Sequence, residues 1–179
     1  MVVATTGSNF ENGDKTALMH VAWRCRPKLV KLFLEHGAKV NAIDKSGRTS
    51  LIMSVSHWAW QYSDACYIEV APGDFLETVK ILIEAGADVN KKDNLYNVSA
   101  LNEMHAYFWR KETKETKKEA IEVIRVLLEA GADVNSTDEK GNTILMECVQ
   151  NYEIPIKAIK LLLESGADPN LKNQTGETA

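Results

Sequence analysis

The chain has few cysteines and none of the familiar signatures of catalysis. Its three cysteines, Cys25, Cys66 and Cys148, are far apart, odd in number and without a C-x-x-C spacing. They cannot pair fully within one chain, so the expected setting is reducing and intracellular, that is, cytoplasmic. No stretch approaches the roughly 20 apolar residues that span a bilayer, so we expect no membrane insertion. Residues Met1 to Gly7 lack the charged start and apolar run of a signal peptide, which again points to the cytoplasm. There is no Gly-rich phosphate loop, nucleophile elbow, paired carboxylates or H-E-x-x-H motif. The charge balance is also slight. A net charge of −4 gives no reason to expect a nucleic-acid partner.

What remains is ordinary globular composition, 45% hydrophobic and 26% charged. Its 179 residues suffice for one core, or for a short solenoid of units packed on their neighbours.

Internal repetition settles which. Four segments align: Val30 to Asn41, Val79 to Asn90, Ile124 to Asn135 and Ile159 to Asn170. Each is an apolar run with a basic residue second, then Glu, one residue, Gly-Ala, and finally Val or Pro before Asn. The run reads as a helix with one wet position. The glycine reads as its left-handed C-cap. A second block recurs upstream as Thr16-Ala17-Leu18-Met19, Thr49-Ser50-Leu51-Ile52, Ser99-Ala100-Leu101-Asn102 and Thr143-Ile144-Leu145-Met146. Its Thr or Ser is a natural N-cap. Asp44 to Gly47 and Asp138 to Gly141 precede two of these blocks as turns. Each unit therefore reads turn, capped short helix, loop, longer helix, glycine stop.

This pattern resembles the ankyrin repeat, with its D-x-x-G-x-T-P-L-H turn and V-x-L-L-L-x-x-G-A-D-V-N end. The resemblance runs from about Asn12 to Ala179. It implies an all-α ankyrin-repeat solenoid, a single domain of four helix-turn-helix repeats (12–43, 44–92, 93–137 and 138–172) and a fifth partial repeat (173–179). Outer helices are expected near Pro27–Glu35, Asp74–Glu84, Glu119–Glu129 and Pro155–Glu164. The pattern also has gaps. Ala17, Ser50, Ala100 and Ile144 replace the proline of T-P-L-H, and Met19, Ile52, Asn102 and Met146 replace its histidine. The hydrogen bonds of that histidine are expected to be missing, leaving more to apolar packing. Cys148 falls where the family has a small buried residue, and Cys25 where it often has glycine between helices. Packing and local geometry explain both better than thiol chemistry.

The glycine spacings are 49, 45 and 35 residues, against a family period of about 33. The excess forms two insertions, one within Ser56 to Phe75 and one within about His105 to Ala120. Lengthened inner helices are expected for both, since neither insertion holds Gly or Pro before Pro72-Gly73. Trp58, Trp60, Tyr107 and Trp109 lie in them, residue types that dominate binding hot spots. The insertions either pack together as a satellite core or offer aromatics to a partner, and both readings put them on one edge. Arg110 to Glu119 carries five positive and three negative charges. A solvated helix face accounts for it better than a phosphate site. His57, Asp64, Cys66 and His105 lack metal-ligand spacing, so no metal, cofactor or catalytic residue is assigned.

The resemblance implies a non-catalytic scaffold that binds a partner protein through its concave face and hairpin tips. No small-molecule substrate is expected. The candidate partner-binding residues are Lys45, Ser46, Arg48, Asn94, Tyr96, Glu139, Lys140 and Asn142. The aromatics Trp58, Trp60, Tyr107 and Trp109 form a second surface. Because hairpin tips are solvated, Arg48→Glu is expected to weaken binding and leave thermal stability nearly unchanged. One alternative is the recognition portion of a larger enzyme, effector or toxin-related protein. Another is an enzyme whose site the insertions build. Asn173 to Ala179 matches the start of a further repeat, and no polar cap follows Leu161 to Leu163. This leads us to expect a fragment of a longer array.

Overall fold

The computed structural model describes residues 15–56, 70–108, 114–150 and 154–179. They form helices joined by turns, with one isolated antiparallel bridge, Thr137 to Thr143. The chain divides into two compact units, Met1–Asp88 and Val89–Ala179.

The first unit holds α1 (Ala17–Trp23), α2 (Pro27–Glu35), α3 (Ser50–Ser56) and α4 (Asp74–Glu84). The second holds α5 (Ala100–Glu103), a 3-10 helix (Met104–Phe108), α6 (Lys114–Glu129), α7 (Ile144–Val149) and α8 (Ile156–Glu164). Short inner helices alternate with longer outer ones, as the repeat requires. The inner helices start where a hydroxyl side chain stands. The side chains of Thr16, Ser99 and Thr143 accept the backbone N–H groups of Met19, Asn102 and Met146. Each such cap stabilises its helix by about 1 kcal/mol. Two outer helices match their expected bounds, Pro27–Glu35 and Asp74–Glu84, and α8 starts one residue late. The stop glycines Gly37, Gly86, Gly131 and Gly166 have φ of 82°, 85°, 89° and 91°.

The expectation for the second insertion needs correction. Its charged half does not lengthen the inner helix but joins the outer helix α6, which begins at Lys114 rather than near Glu119. Lys114 to Glu119 is rich in strong helix formers, and nothing there stops propagation backward from Ala120. Among the described residues the inner helix is followed by the 3-10 turn Met104–Phe108, which carries Tyr107. Trp58, Trp60 and Trp109, with His57, Asp64 and Cys66, lie outside the described residues.

Within each unit the core is made by inner helices packed on outer ones. Leu18, Met19, Leu51, Ile52 and Leu82 are fully buried in the first unit, and Leu101, Met104, Ile124, Leu127, Ile144 and Leu145 in the second. All seven residues of α3 are buried. Three of them are serines, small enough to let α1 and α4 pack against this helix. Ser54 and Ser56 return their hydroxyls to Leu51 O (2.7 Å) and Ile52 O (2.8 Å), which makes their burial tolerable.

A second regularity ties distant segments together within each unit. The Asn41 side-chain amide donates to Gly86 O (2.9 Å), and its oxygen accepts the Asp88 N–H (2.8 Å). Asn90 does the same to Gly131 O (3.0 Å) and Asp133 N–H (2.8 Å). Asn135 does so to Gly166 O (3.1 Å) and Asp168 N–H (2.9 Å). Each asparagine thus satisfies a carbonyl and an amide at the helix stop of the next repeat, groups that a helix end otherwise leaves to water.

Two departures from the repeat pattern carry their own explanations. Cys25 occupies the interhelix glycine position with φ of 46° and is fully buried. Its thiol points at Ser54 O (3.8 Å). Burial thus compensates for a backbone conformation that favours glycine. At Asn102 the expected loss of hydrogen bonds is corrected. Its amide donates to Ser136 O (2.9 Å), and its oxygen accepts the Ser99 N–H (3.1 Å) and hydroxyl (2.9 Å). At the same position in the first repeat the Met19 thioether accepts the Thr16 N–H (3.4 Å), whereas isoleucine has no polar atom to offer.

Cys148 is buried on α7, and burial, with Glu147 beside it, pushes its thiol up to about 12. A thiol is reactive as thiolate. At pH 8, iodoacetamide should therefore leave Cys148 and Cys25 intact in the folded protein and alkylate both in urea, read peptide by peptide by mass spectrometry. Equal rates in the two states would contradict this packing.

Candidate partner-binding surface

The hairpin tips are built by one device used four times. Asp44 Oδ1 accepts the N–H groups of Ser46 (2.8 Å) and Arg48 (3.0 Å). Asp138 Oδ1 accepts those of Lys140 and Asn142 (both 2.8 Å). Asn173 Oδ1 accepts those of Thr175 (3.0 Å) and Glu177 (2.9 Å). A short side chain that bonds its own following backbone makes a turn without needing a partner strand. Glycine completes each of these tips. At Gly141, with φ of 81°, an added Cβ would also come within 3.1 Å of Gln174 N.

The third tip is longer by one residue. Asp93 Oδ1 accepts from Tyr96 N (3.0 Å) and Val98 N (3.2 Å), and Asn97 takes the glycine's place with φ of 55°. Asparagine tolerates this conformation better than most residues. Here the Asn97 side chain also donates to Thr137 O (3.3 Å). The extra residue lifts Leu95 and Tyr96 into solvent, where they are 49% and 57% exposed. Their backbone is nevertheless fixed, because Tyr96 O accepts the Glu139 N–H at 2.9 Å. Likewise Lys140 O accepts the Gln174 N–H (3.0 Å), and Glu139 O accepts the Gln174 side-chain amide (2.7 Å). The tips of the second unit are bonded one to the next.

The expected site residues fall into two groups. Lys45, Asn94, Tyr96, Glu139 and Lys140 are exposed on these tips, and Ser46 is half-buried. Asn142 and Arg48 have other work. Asn142 is only 9% exposed, donating to Glu147 Oε1 (2.8 Å) and accepting from Asn173 Nδ2 (2.8 Å). It braces the fourth tip against α7. Arg48 lies over Asp44, with Nε and Nη2 at 3.2 and 3.0 Å from Oδ2, its side chain 12% exposed against 3% for Asp44. The expectation that Arg48→Glu spares stability is therefore corrected: this tip residue is half of a largely buried ion pair. Tyr107 sits on the 3-10 helix.

Sequence reasoning overlooked Leu95, whose only signal is the extra residue between Asp93 and Asn97. It weighed His105 as a metal ligand, whereas here its Nδ1 lies 2.6 Å from Asn102 O and its Nε2 lies 3.9 Å from Glu147 Oε2. This histidine links the 3-10 helix to α7 and to the Asn142 brace. Glu177, at the last tip, has its carboxyl held below the usual range by hydrogen bonds from Asn173 and Thr175. Among the described residues no three His, Cys, Asp or Glu side chains are grouped to hold a metal ion. No helix there is long and apolar enough to cross a membrane.

Replacing Arg48 by Glu sets two carboxylates together in a largely buried place, so we predict a loss of about 3 kcal/mol or more in urea unfolding. Lys45→Glu and Lys140→Glu should change stability by less than about 0.5 kcal/mol. A neutral Arg48→Glu would overturn the assignment of this pair.

Comparison with known proteins agrees with this geometry. A family model described as ankyrin repeats (3 copies) matches residues 3–93 and 70–173. A putative ankyrin repeat protein of fowlpox virus (strain NVSL) is 31% identical over 93 residues, which is 52% of this chain. The aligned stretch covers 15% of that relative's length. Ankyrin repeats generally serve as protein-interaction modules and are generally not catalysts. With both the helix-pair repeat and the family match in hand, the chain belongs to the ankyrin-repeat family.

Proposed function

We propose that the chain is a non-catalytic module that binds a partner protein through its hairpin tips and the inner-helix faces behind them. One observation carries the reading: Leu95 and Tyr96 are exposed on a tip whose backbone is fixed by Asp93 and by the neighbouring tip. A tyrosine held in solvent on an ordered backbone contributes contact area with little entropy left to lose on docking. Asn94, Glu139 and Lys140, on the tips of the same unit, add polar groups that set partner choice and encounter rate, and Lys45 offers a charge on the tip of the first unit. Trp58, Trp60, Tyr107 and Trp109 remain the second proposed surface. A reducing, cytoplasmic compartment fits three cysteines that are odd in number and far apart in the sequence.

Affinity capture with the intact protein from its native source, followed by mass spectrometry, identifies the partner. Tyr96→Ala is then expected to weaken binding by about tenfold or more, the scale of a hot-spot residue. The melting temperature should stay nearly unchanged, since this side chain packs little of itself. A partner whose affinity ignores Tyr96→Ala, Lys45→Glu, Glu139→Lys and Lys140→Glu would overturn the tip reading and turn the search to the insertions.

A further inference from the structure

Charge is unevenly spread along this chain. Between Lys15 and Leu34 stand Lys15, Arg24, Arg26, Lys28 and Lys31, with no aspartate or glutamate, in a protein whose net charge is −4. The fold divides these cations between two helices. Helix α1 buries Leu18, Met19 and Ala22. That leaves His20, Trp23 and Arg24, spaced i, i+3 and i+4, together on its half-exposed side. The Arg24 guanidinium carbon lies 5.6 Å from the centre of the Trp23 ring, within cation–π range. Lys15 precedes the N-cap at the start of the same helix. Arg26, Lys28 and Lys31 belong instead to the start of α2 and are exposed there.

Both α1 flanking cations, Lys15 and Arg24, act on His20. Burial, then the Arg48 charge, holds the Lys15 ammonium below its usual range, against the pull of Asp44. Burial, then Lys15 and Arg24, does the same to His20. Lys15 and Arg24, at the two ends of this short helix, thus set a positive field that disfavours protonation of His20 and that an added anion would relieve.

We propose that the α1 face formed by Lys15, His20, Trp23 and Arg24 is a docking site for an acidic peptide segment of a partner protein. The inference rests on the protein-binding reading above and names the chemistry of one partner contact. Carboxylates complement the Lys15 and Arg24 charges and favour a protonated His20 between them, and the Trp23–Arg24 stack offers a flat, ordered surface beside them. A polynucleotide fits less well. Helix α1 has seven residues, so it is only about 10 Å long. That matches about three residues of extended peptide, not a long phosphate track. Arg24 already covers one face of Trp23, where a base would stack. The net negative charge of the chain opposes a polyanion at long range.

The test uses the full chain and fluorescence anisotropy at about 0.15 M salt, where the screening length is about 8 Å. The probes are a labelled ten-residue peptide of glutamate and serine with one leucine, the same peptide with glutamine for glutamate, and a labelled uracil oligonucleotide. The acidic peptide should bind at least about tenfold more tightly than either control probe. Lys15→Glu and Arg24→Glu should each weaken it about tenfold, and Arg24→Gln should weaken it less. Lys28→Glu and Lys31→Glu make the same charge change on α2 and should stay within about threefold of wild type. Circular dichroism shows whether each variant keeps its helices, and Arg24→Gln retains the test should a charge reversal unfold. Equal losses from the α2 variants, tighter binding of the oligonucleotide, or no binding of the acidic peptide each overturns the proposal. Tyr96→Ala should leave this peptide's affinity unchanged, so failure of the α1 site and failure of the tip reading are told apart.

Discussion

Within each unit, an asparagine side chain holds the helix stop that follows it in the chain. In Asn41, Asn90 and Asn135 the amide donates to a glycine carbonyl and the oxygen accepts an aspartate N–H, each at 2.8 to 3.1 Å. The two bonds are made by one planar group, so they fix both distance and orientation. Backbone groups at helix ends must be satisfied by something. Here the satisfying group is a side chain 31 to 45 residues earlier in the same unit, which ties together segments far apart in sequence.

That coupling explains how the array absorbs unequal repeats. The asparagine reaches a glycine 45 residues ahead in the first unit, and 41 and then 31 residues ahead in the second. The bonds are alike although the chain between them differs by more than ten residues. Added length costs little when both its ends are pinned, since loop entropy grows slowly with length. The tips follow from the same constraint. Once the helix stops are in register, Tyr96 O meets Glu139 N–H and Lys140 O meets Gln174 N–H. The exposed side chains on those tips are then presented from a fixed backbone.

Much of this was legible in the sequence because it is local and repeated. Thr16, Ser99 and Thr143 announced the inner helices, and four Gly-Ala pairs announced the outer stops. The tip aspartates could be read from Asp44 and Asp138 because glycine follows three residues later. Asp93 was harder to read, since Asn97 stands in for the glycine after one extra residue. The roles of Arg48 and Asn142 were not legible. Each sits at a tip, where residues are usually solvated, and only packing shows that one covers Asp44 and the other meets Glu147. The repeated asparagine was visible four times, at Asn41, Asn90, Asn135 and Asn170, yet its partner lies a whole repeat away and no local pattern names it. The α6 start was missed for a different reason: a charged run can be loop or helix, and the outer helix decided it.

Amide hydrogen exchange tests the register-holding role most directly. Asp133 and Asp168 are exposed residues, yet their N–H groups donate to Asn90 and Asn135. The account predicts that both amides exchange slowly, as parts of the folded array rather than as surface loops. It also predicts that Asn135→Ala speeds exchange at Asp168 while leaving Asp133 as it was. Exchange of Asp168 at the rate of an unstructured chain, or a rate untouched by Asn135→Ala, would contradict it.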